Sequence, residues 1–119
     1  MVTNESETLE YIKIDVLSVA GKNESDLTVV EFSFENKHNR PVRITGLGEQ
    51  GALITIDKEG FSHSLINGNN IEFTVPNEAA KKHSLIFSGS ASQVKQVRVW
   101  RETYDIDTKF RDASKNTGL

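Results

Sequence analysis

Cysteine is absent from all 119 residues of the chain. Its absence excludes thiolate catalysis, zinc sites built on cysteine and a disulfide framework. Long apolar runs are missing too, since none approaches the roughly 20 residues that a membrane-spanning helix requires. The opening residues, MVTNESETLE, have neither the basic start nor the apolar centre of a signal peptide. These absences predict a cytoplasmic or particle-associated protein, or a mature fragment whose signal has been removed.

Basic residues are scarce at the start of the chain and concentrated near its end. Residues 1–35 carry eight acids and two bases, whereas residues 77–101 carry five bases and one acid. The net charge of −3 argues against general nucleic-acid binding. The split predicts two faces of opposite charge that favour head-to-tail self-association, and an ordinary mixed surface is the alternative.

Turn-forming residues interrupt the apolar sequence at short intervals, which is typical of an all-β sandwich or barrel. A length of 119 residues fits one domain. We expect a flexible lead at 1–8, a β domain at 9–105 and a flexible tail at 106–119. The predicted strands lie in LEYIKIDVLSVAG, LTVVEFSFE, RPVRIT, ALITI, FSHSLI, IEFTV, SLIFSG and QVKQVRVWRETY.

Alternation within these runs predicts which side chains face the core. In LTVVEFSFE the apolar set points inward and the acidic set outward. The inward set is Val30, Phe32 and Phe34, and the outward set is Glu31, Ser33 and Glu35. In the first strand, Leu17 and Val19 fall on the face opposite to Val16, which indicates a bulge or a change of sheet. PNEAAKKH, residues 76–83, is the helical candidate, with Asn77 as its N-cap.

The number and spacing of the predicted strands resemble the immunoglobulin-like β-sandwich. The resemblance implies seven or eight antiparallel strands and a short helical turn before the penultimate strand. Three features of that fold are missing: the cysteine pair, a tryptophan on a central strand and the tyrosine that follows the helical turn. FSFENKHNRPVRI also looks like the strand–turn–strand of many bacterial and phage sandwich domains. The resemblance implies a fold and no activity.

The last predicted strand carries the candidates for a binding surface. Alternation places Val97 and Val99 inward and Arg98 outward, because an unpaired arginine is costly to bury. An exposed tryptophan beside an arginine is enriched at protein interfaces. A bulge that returns Trp100 to the core is the alternative. The predicted contact residues are Gln96, Arg98 and Trp100, with Lys81 and Lys82 as a basic rim.

Motifs for catalysis and cofactor binding lack the context that their chemistry needs. GLGEQG at 46–51 matches the dinucleotide fingerprint G-x-G-x-x-G, but β-branched residues follow it where a helix is required. Asp105 and Asp107 lack the further ligands and the closing glutamate of a calcium loop. The histidines, His38, His63 and His83, have no local metal-ligand spacing. The strand and hairpin carboxylates that a glycosidase would need, Glu31, Glu35, Asp57 and Glu59, have few aromatic residues left to flank them.

We therefore predict a non-enzymatic binding or structural module that acts through protein–protein contacts, such as an accessory domain of a bacterial or phage particle. It needs no cofactor or metal. Its expected partner is another protein or a second copy of the chain, and neither nucleic acid nor a membrane is expected. Two alternatives stay open: a carbohydrate-binding module that stacks sugars on Trp100, Tyr104 or Tyr11, and a small enzyme that binds metal through its histidines.

Overall fold

The computed structural model describes residues 10–21 and 26–106. The predicted lead at 1–8 lies outside the described residues, as does the predicted tail beyond Ile106. Ile106 itself is buried, and it donates its N–H to the carbonyl of Lys95 at 2.9 Å. The strands in the described part are β1 (Ile12–Gly21), β2 (Leu27–Asn36), β3 (Val42–Ile44), β4 (Leu53–Asp57), β5 (Ser62–Ser64), β6 (Phe73–Val75), β7 (Ala80–Ser88), β8 (Val94–Val99) and β9 (Glu102–Asp105).

These strands form antiparallel sheets with almost no helix, which confirms the prediction of an all-β fold. One sheet has the order β1-β2-β7, a second has the order β5-β4-β8-β9, and β3 pairs with β6 in a third. Buried apolar side chains from all three sheets belong to one cluster. The sheets therefore share a single hydrophobic core.

The alternation predicted for β2 is confirmed. Val30, Phe32 and Phe34 are at most 1% exposed, and burying each such side chain stabilises the fold by roughly 1.5–3 kcal/mol. The bulge in β1 is confirmed as well, because the register with β2 shifts between Val16 and Ser18. The bulge leaves Leu17 exposed and returns Val19 to the buried face that Val16 occupies, so Val19 does not change sides.

The helix predicted at 76–83 is wrong. Strand β7 begins at Ala80 and pairs with β2 along its whole length. Pairing with β2 satisfies a full row of backbone groups, whereas helix propensity contributes only tenths of a kcal/mol per residue. Glu78, with φ 55°, also leaves the right-handed helical region. Within the described residues, a 3₁₀ helix lies instead at Ala91–Gln93, where the sequence predicted a plain loop.

The last predicted strand is a hairpin of two strands. β8 ends at Val99 and β9 begins at Glu102, so Trp100 and Arg101 form a two-residue turn between them. Trp100 has φ 50°, a value that two-residue hairpins normally assign to glycine. Because no glycine, asparagine or proline marks this turn, the sequence pattern concealed it.

The two larger sheets are joined at both edges. At one edge, Tyr104 of β9 donates its hydroxyl to the carbonyl of Ile14 in β1 at 2.9 Å. Burial, followed by the charges of Glu102 and Asp15, raises the pKa of Tyr104 to about 12, so this hydroxyl keeps its proton. At the other edge, the residue after β5 forms a bridge to β7 through Leu65 and Phe87. The sheet β5-β4-β8-β9 therefore faces β1-β2-β7 across the core.

Candidate functional site

The five predicted contact residues do not lie on one surface. Gln96 and Arg98 lie on the outward face of the sheet β5-β4-β8-β9 and alternate with the buried positions Val97 and Val99. This outward placement agrees with the phase predicted for the strand. Trp100 occupies the turn that follows, and the two lysines belong to the other sheet.

Strand β4 buries the face that its sequence pattern predicts to be exposed. Alternation within ALITI favours burial of Ile54 and Ile56. In the structure Leu53 and Thr55 face the core at 4% and 0% exposure, while both isoleucines point outward and lie outside the core cluster. The buried hydroxyl of Thr55 has no hydrogen-bond partner among the described residues. Half-buried isoleucines above an unpaired buried hydroxyl make the outward face of β4 the candidate for a binding surface.

Replacing Thr55 by valine is expected to stabilise the protein by about 1 kcal/mol, because the change removes a buried hydroxyl that nothing satisfies. Urea unfolding of the wild type and of Thr55→Val measures the difference. Thr74→Val, at an exposed position of β6, is the matched control and is expected to change little. A Thr55→Val protein less stable than the wild type would show that the hydroxyl has a partner.

Two rows of side chains form the outward face around these isoleucines. Ile54 lies beside Arg98 and Ile56 beside Gln96, and neighbouring strands hold such pairs about 5 Å apart. Gln96 donates Nε2–H to Oδ1 of Asp105 at 3.0 Å. No carboxylate of the described residues forms an ion pair with Arg98. We call the group Ile54, Ile56, Gln96 and Arg98 the isoleucine face.

Trp100 is half-buried. Its position is closer to the alternative prediction, in which the side chain returns to the core, than to the prediction of an exposed side chain. Its indole packs against the core cluster, and its backbone N–H is donated to the carbonyl of Ala52 at 2.7 Å. The other two aromatic residues considered for sugar stacking also pack within the domain. Tyr11 stacks on His38 with ring centroids 4.4 Å apart, and the hydroxyl of Tyr104 is bonded to β1. The three rings therefore do not form one exposed platform.

Lys81 and Lys82 point to opposite faces of β7 and form no common rim. Lys82 lies across from Ser33 on the outward face of β2, the face that also carries Glu31 and Glu35. Lys81 faces the other way, with Nζ 5.5 Å from the centre of the Phe73 ring. The acidic face predicted for β2 thus contains a cation, and the charges of this sheet are interleaved.

The histidines are held by separate partners. His38 stacks on Tyr11, and His83 stacks on Phe73 with ring centroids 4.1 Å apart while its Nε2 lies 2.6 Å from the carbonyl oxygen of Asn70. Within residues 10–21 and 26–106, no group of three histidine or carboxylate side chains has a geometry that could hold a metal ion. Asp107, the second candidate calcium ligand, lies outside the described residues.

Asp57 organises the hairpin between β4 and β5. Its Oδ1 accepts the N–H groups of Glu59 and Phe61, each at 2.9 Å, and its Oδ2 lies 2.9 Å from Nε2 of His63. The hydrogen bond from His63, followed by that from the Phe61 N–H, holds the pKa of the Asp57 carboxyl below its ordinary range. Each of these hydrogen bonds stays within one hairpin, which indicates that the carboxylate fixes the turn.

Asp57→Asn is expected to lower stability at neutral pH and to lose that effect in acid. Because folding lowers the pKa of Asp57 below its ordinary 3.8, its stabilising contribution is present above that value and disappears as pH falls through the folded-state pKa. Urea midpoints of wild type and variant should differ near pH 7 and converge toward about pH 2. Glu59→Gln, in the same loop, is the control and should show no such convergence. A gap for Asp57→Asn that is constant with pH would contradict this account.

The glycine-rich segment 46–51 leads into β4 and not into a helix, so it lacks the helix N-terminus that a dinucleotide requires. It borders a cleft of about 230 Å³ whose wall includes Leu47, Glu49 and Ser64. Small-molecule sites usually have volumes of roughly 300–1,000 Å³. The cleft is therefore small, and its carboxylate opposes binding of a phosphate.

Comparison with known proteins supplies no relative: no protein-family model, curated protein or solved structure matches the chain. Among the described residues, no helix has the length and apolar character needed to cross a membrane. The structure defines an all-β domain with two half-buried isoleucines on the outward face of one sheet.

Proposed function

We propose that the chain is a non-enzymatic module with an immunoglobulin-like sandwich architecture, and that it binds a partner protein through the isoleucine face. The inverted orientation of β4 carries this proposal, because it places the half-buried Ile54 and Ile56 on the outward face while Thr55 takes their place inside. Two facing antiparallel sheets, and a 3₁₀ helix just before the penultimate strand, support the architecture.

The chemistry of the face indicates the chemistry of the partner. Ile54 and Ile56 offer an apolar strip, and the matching surface is an apolar side chain that excludes water from it. Arg98 lies beside Ile54 without an ion pair from the described residues, and its counterpart is a carboxylate of the partner. Tyrosine, tryptophan and arginine dominate the energetics of such contacts, so Arg98 is the charged residue expected to contribute most.

The size of the face sets the expected strength of the complex. Together with the flanking strands β5 and β9, the isoleucine face spans four strands about 4.8 Å apart, and two outward positions on each strand give roughly 300 Å². Stable complexes bury about 800 Å² on each partner. We therefore expect a transient complex with a Kd on the order of micromolar.

Paired capture experiments test the proposal. The wild type and Ile54→Glu serve as baits in a lysate of the source cells, and any protein retained by the wild type alone is purified and titrated against both. We expect Ile54→Glu and Arg98→Glu each to raise Kd by about tenfold or more, since they bury a charge or reverse one.

Val29→Glu is the matched control, because Val29 is a half-buried aliphatic residue on the outward face of the other sheet. It introduces the same charge in a central strand and should leave Kd within about twofold of the wild-type value. Circular dichroism shows whether each variant is folded. Equal binding by Ile54→Glu and the wild type would reject the isoleucine face, as would an equal loss in Val29→Glu.

A further inference from the structure

The outer edge of β7 is paired along only part of its length. β7 is the last strand in the order β1-β2-β7, so one of its sides faces away from the sheet. On that side Ile86 donates its N–H to Oδ1 of Asn69 at 2.8 Å, and its carbonyl accepts Nδ2–H of Asn69 at 2.8 Å. The same carbonyl accepts the N–H of Ile66 at 3.1 Å. The side-chain amide of Asn69 thus takes the place of one residue of a neighbouring strand.

The direction of the remaining backbone groups follows from alternation along the strand. Successive residues of an antiparallel strand direct their N–H and C=O groups to opposite sides. The carbonyl of Ala79 accepts the N–H of Asn36 at 2.8 Å and therefore faces β2. Ala80, Lys82 and Ser84 share the phase of Ile86, so their backbone groups face away from β2. No strand of the described residues lies beside these three.

The open part of the edge, residues 80–84, carries two lysines and no acidic residue of its own, and the side chains on its core side are packed against the domain. Lysine on an edge strand often prevents pairing with another chain. Here Lys81 lies over the ring of Phe73, and His83 stacks on the same ring. Both therefore pack on the core side of β7, where the Nε2 of His83 also lies 2.6 Å from the carbonyl oxygen of Asn70. Lys82, which is exposed on the other side, adds a charge beside that line.

We propose that the Ala80–Ser84 edge of β7 receives an extended acidic segment of a partner protein by strand addition. The backbone groups of Ala80, Lys82 and Ser84 pair with the added strand, and the carboxylates on its outward face lie beside Lys82. Main-chain hydrogen bonds supply affinity in this mode of recognition, while alternate side chains supply specificity. The site belongs to the opposite sheet from the isoleucine face, so either proposal stands if the other fails.

Amide hydrogen exchange with a synthetic probe tests the inference. The probe is a blocked peptide of alternating glutamate and valine, and the same peptide with lysine for glutamate is its control. Saturation with the acidic peptide is expected to slow exchange at Lys82 and Ser84 by about tenfold or more. Lys81 and His83 are expected to change little, because their N–H groups already bond to β2. This alternate pattern distinguishes strand addition from simple attraction of charges.

Ser84→Pro and N-methylation of the peptide supply two independent tests of the main-chain contact. Proline at Ser84 removes an N–H that faces the open edge and keeps the ladder to β2, whereas Ser84→Thr retains it. We expect Ser84→Pro, or a peptide methylated on its pairing amides, to bind about tenfold more weakly or worse. Ser84→Thr and a peptide methylated on its opposite amides should bind as before. The proposal would be overturned by unchanged exchange at Lys82 and Ser84, or by equal binding of the lysine peptide. Protection that grows with protein concentration in the absence of peptide would overturn it too, because it would assign the edge to a second copy of the chain.

Discussion

Asn36→Asp is expected to destabilise the protein by about 3–5 kcal/mol near pH 7, since it buries a charge that lacks a partner. The Asn36 side chain is nearly inaccessible, and its Nδ2 donates to the carbonyls of Arg40 at 2.8 Å and Val75 at 3.1 Å. Its Oδ1 accepts the N–H of His38 at 2.8 Å. This one amide therefore joins the end of β2, the turn that follows it and β6.

Aspartate at position 36 has nearly the same shape but places a carboxylate against two carbonyl oxygens. Their repulsion, together with burial, raises the pKa of the introduced carboxyl. A group whose pKa is raised on folding stabilises the fold at low pH and loses that contribution as pH rises through the folded-state value. The variant should therefore be least stable near neutral pH and should recover part of its stability toward about pH 4.

Asn39→Asp provides the matched control, because Asn39 is exposed in the same turn. The chemical change is identical, and we expect an effect within about 0.5 kcal/mol. Urea unfolding of both variants between about pH 4 and pH 7 measures the two effects. Equal stability of Asn36→Asp and Asn39→Asp at neutral pH would show that the Asn36 amide does not hold these three segments together.

Gly89→Ala is expected to destabilise the protein by about 3 kcal/mol, through backbone strain and a steric clash together. Gly89 has φ 96°, and a Cβ there would lie 2.8 Å from Nδ1 of His63 and 3.1 Å from two further atoms of the ring. The ring cannot move aside freely, because its Nε2 lies 2.9 Å from Oδ2 of Asp57. Gly89 itself is held in place, since its N–H is donated to the backbone carbonyl of Asp26 and its own carbonyl accepts the hydroxyl of Thr28.

Gly60→Ala separates the two contributions. Gly60 has nearly the same φ, 92°, and nothing lies within 4 Å of an added Cβ. We expect it to lose only the backbone part, about 1–2 kcal/mol. The excess loss in Gly89→Ala should shrink when His63→Ala is added, and a double-mutant cycle measures that coupling. Equal losses for Gly89→Ala and Gly60→Ala would show that the ring of His63 yields without cost.

Local alternation allowed part of the fold to be predicted from the sequence. In the middle of β2 every second side chain is large and apolar, namely Val30, Phe32 and Phe34, so the buried face there followed directly from the pattern. Gln96 and Arg98 were placed outward by the same reasoning. Contacts between distant segments decided the rest. Pairing with β2 made a strand of residues predicted as a helix, and the turn at Trp100 carries no turn-forming residue.

The isoleucine face could not be predicted from the sequence because β4 buries the less apolar of its two sets of side chains. ALITI offers two isoleucines in one phase and a leucine and a threonine in the other, and sequence reasoning buries the more apolar set. The register with β8 fixes the opposite choice, since Leu53 pairs with Val99 and Thr55 with Val97, both of which are buried. The basic rim predicted for Lys81 and Lys82 fails for a simpler reason. The two lysines belong to a strand, and adjacent residues of a strand point to opposite faces of the sheet.

Methyl NMR of isoleucine-labelled protein, recorded with and without the partner captured by the wild type, shows directly whether the isoleucine face is the binding surface. We expect the methyl signals of Ile54 and Ile56 to shift on binding while those of the buried Ile12 and Ile44 stay in place. Shifts confined to Ile86, on the outward side of β7, with Ile54 and Ile56 unchanged, would contradict it and would assign binding to the other sheet.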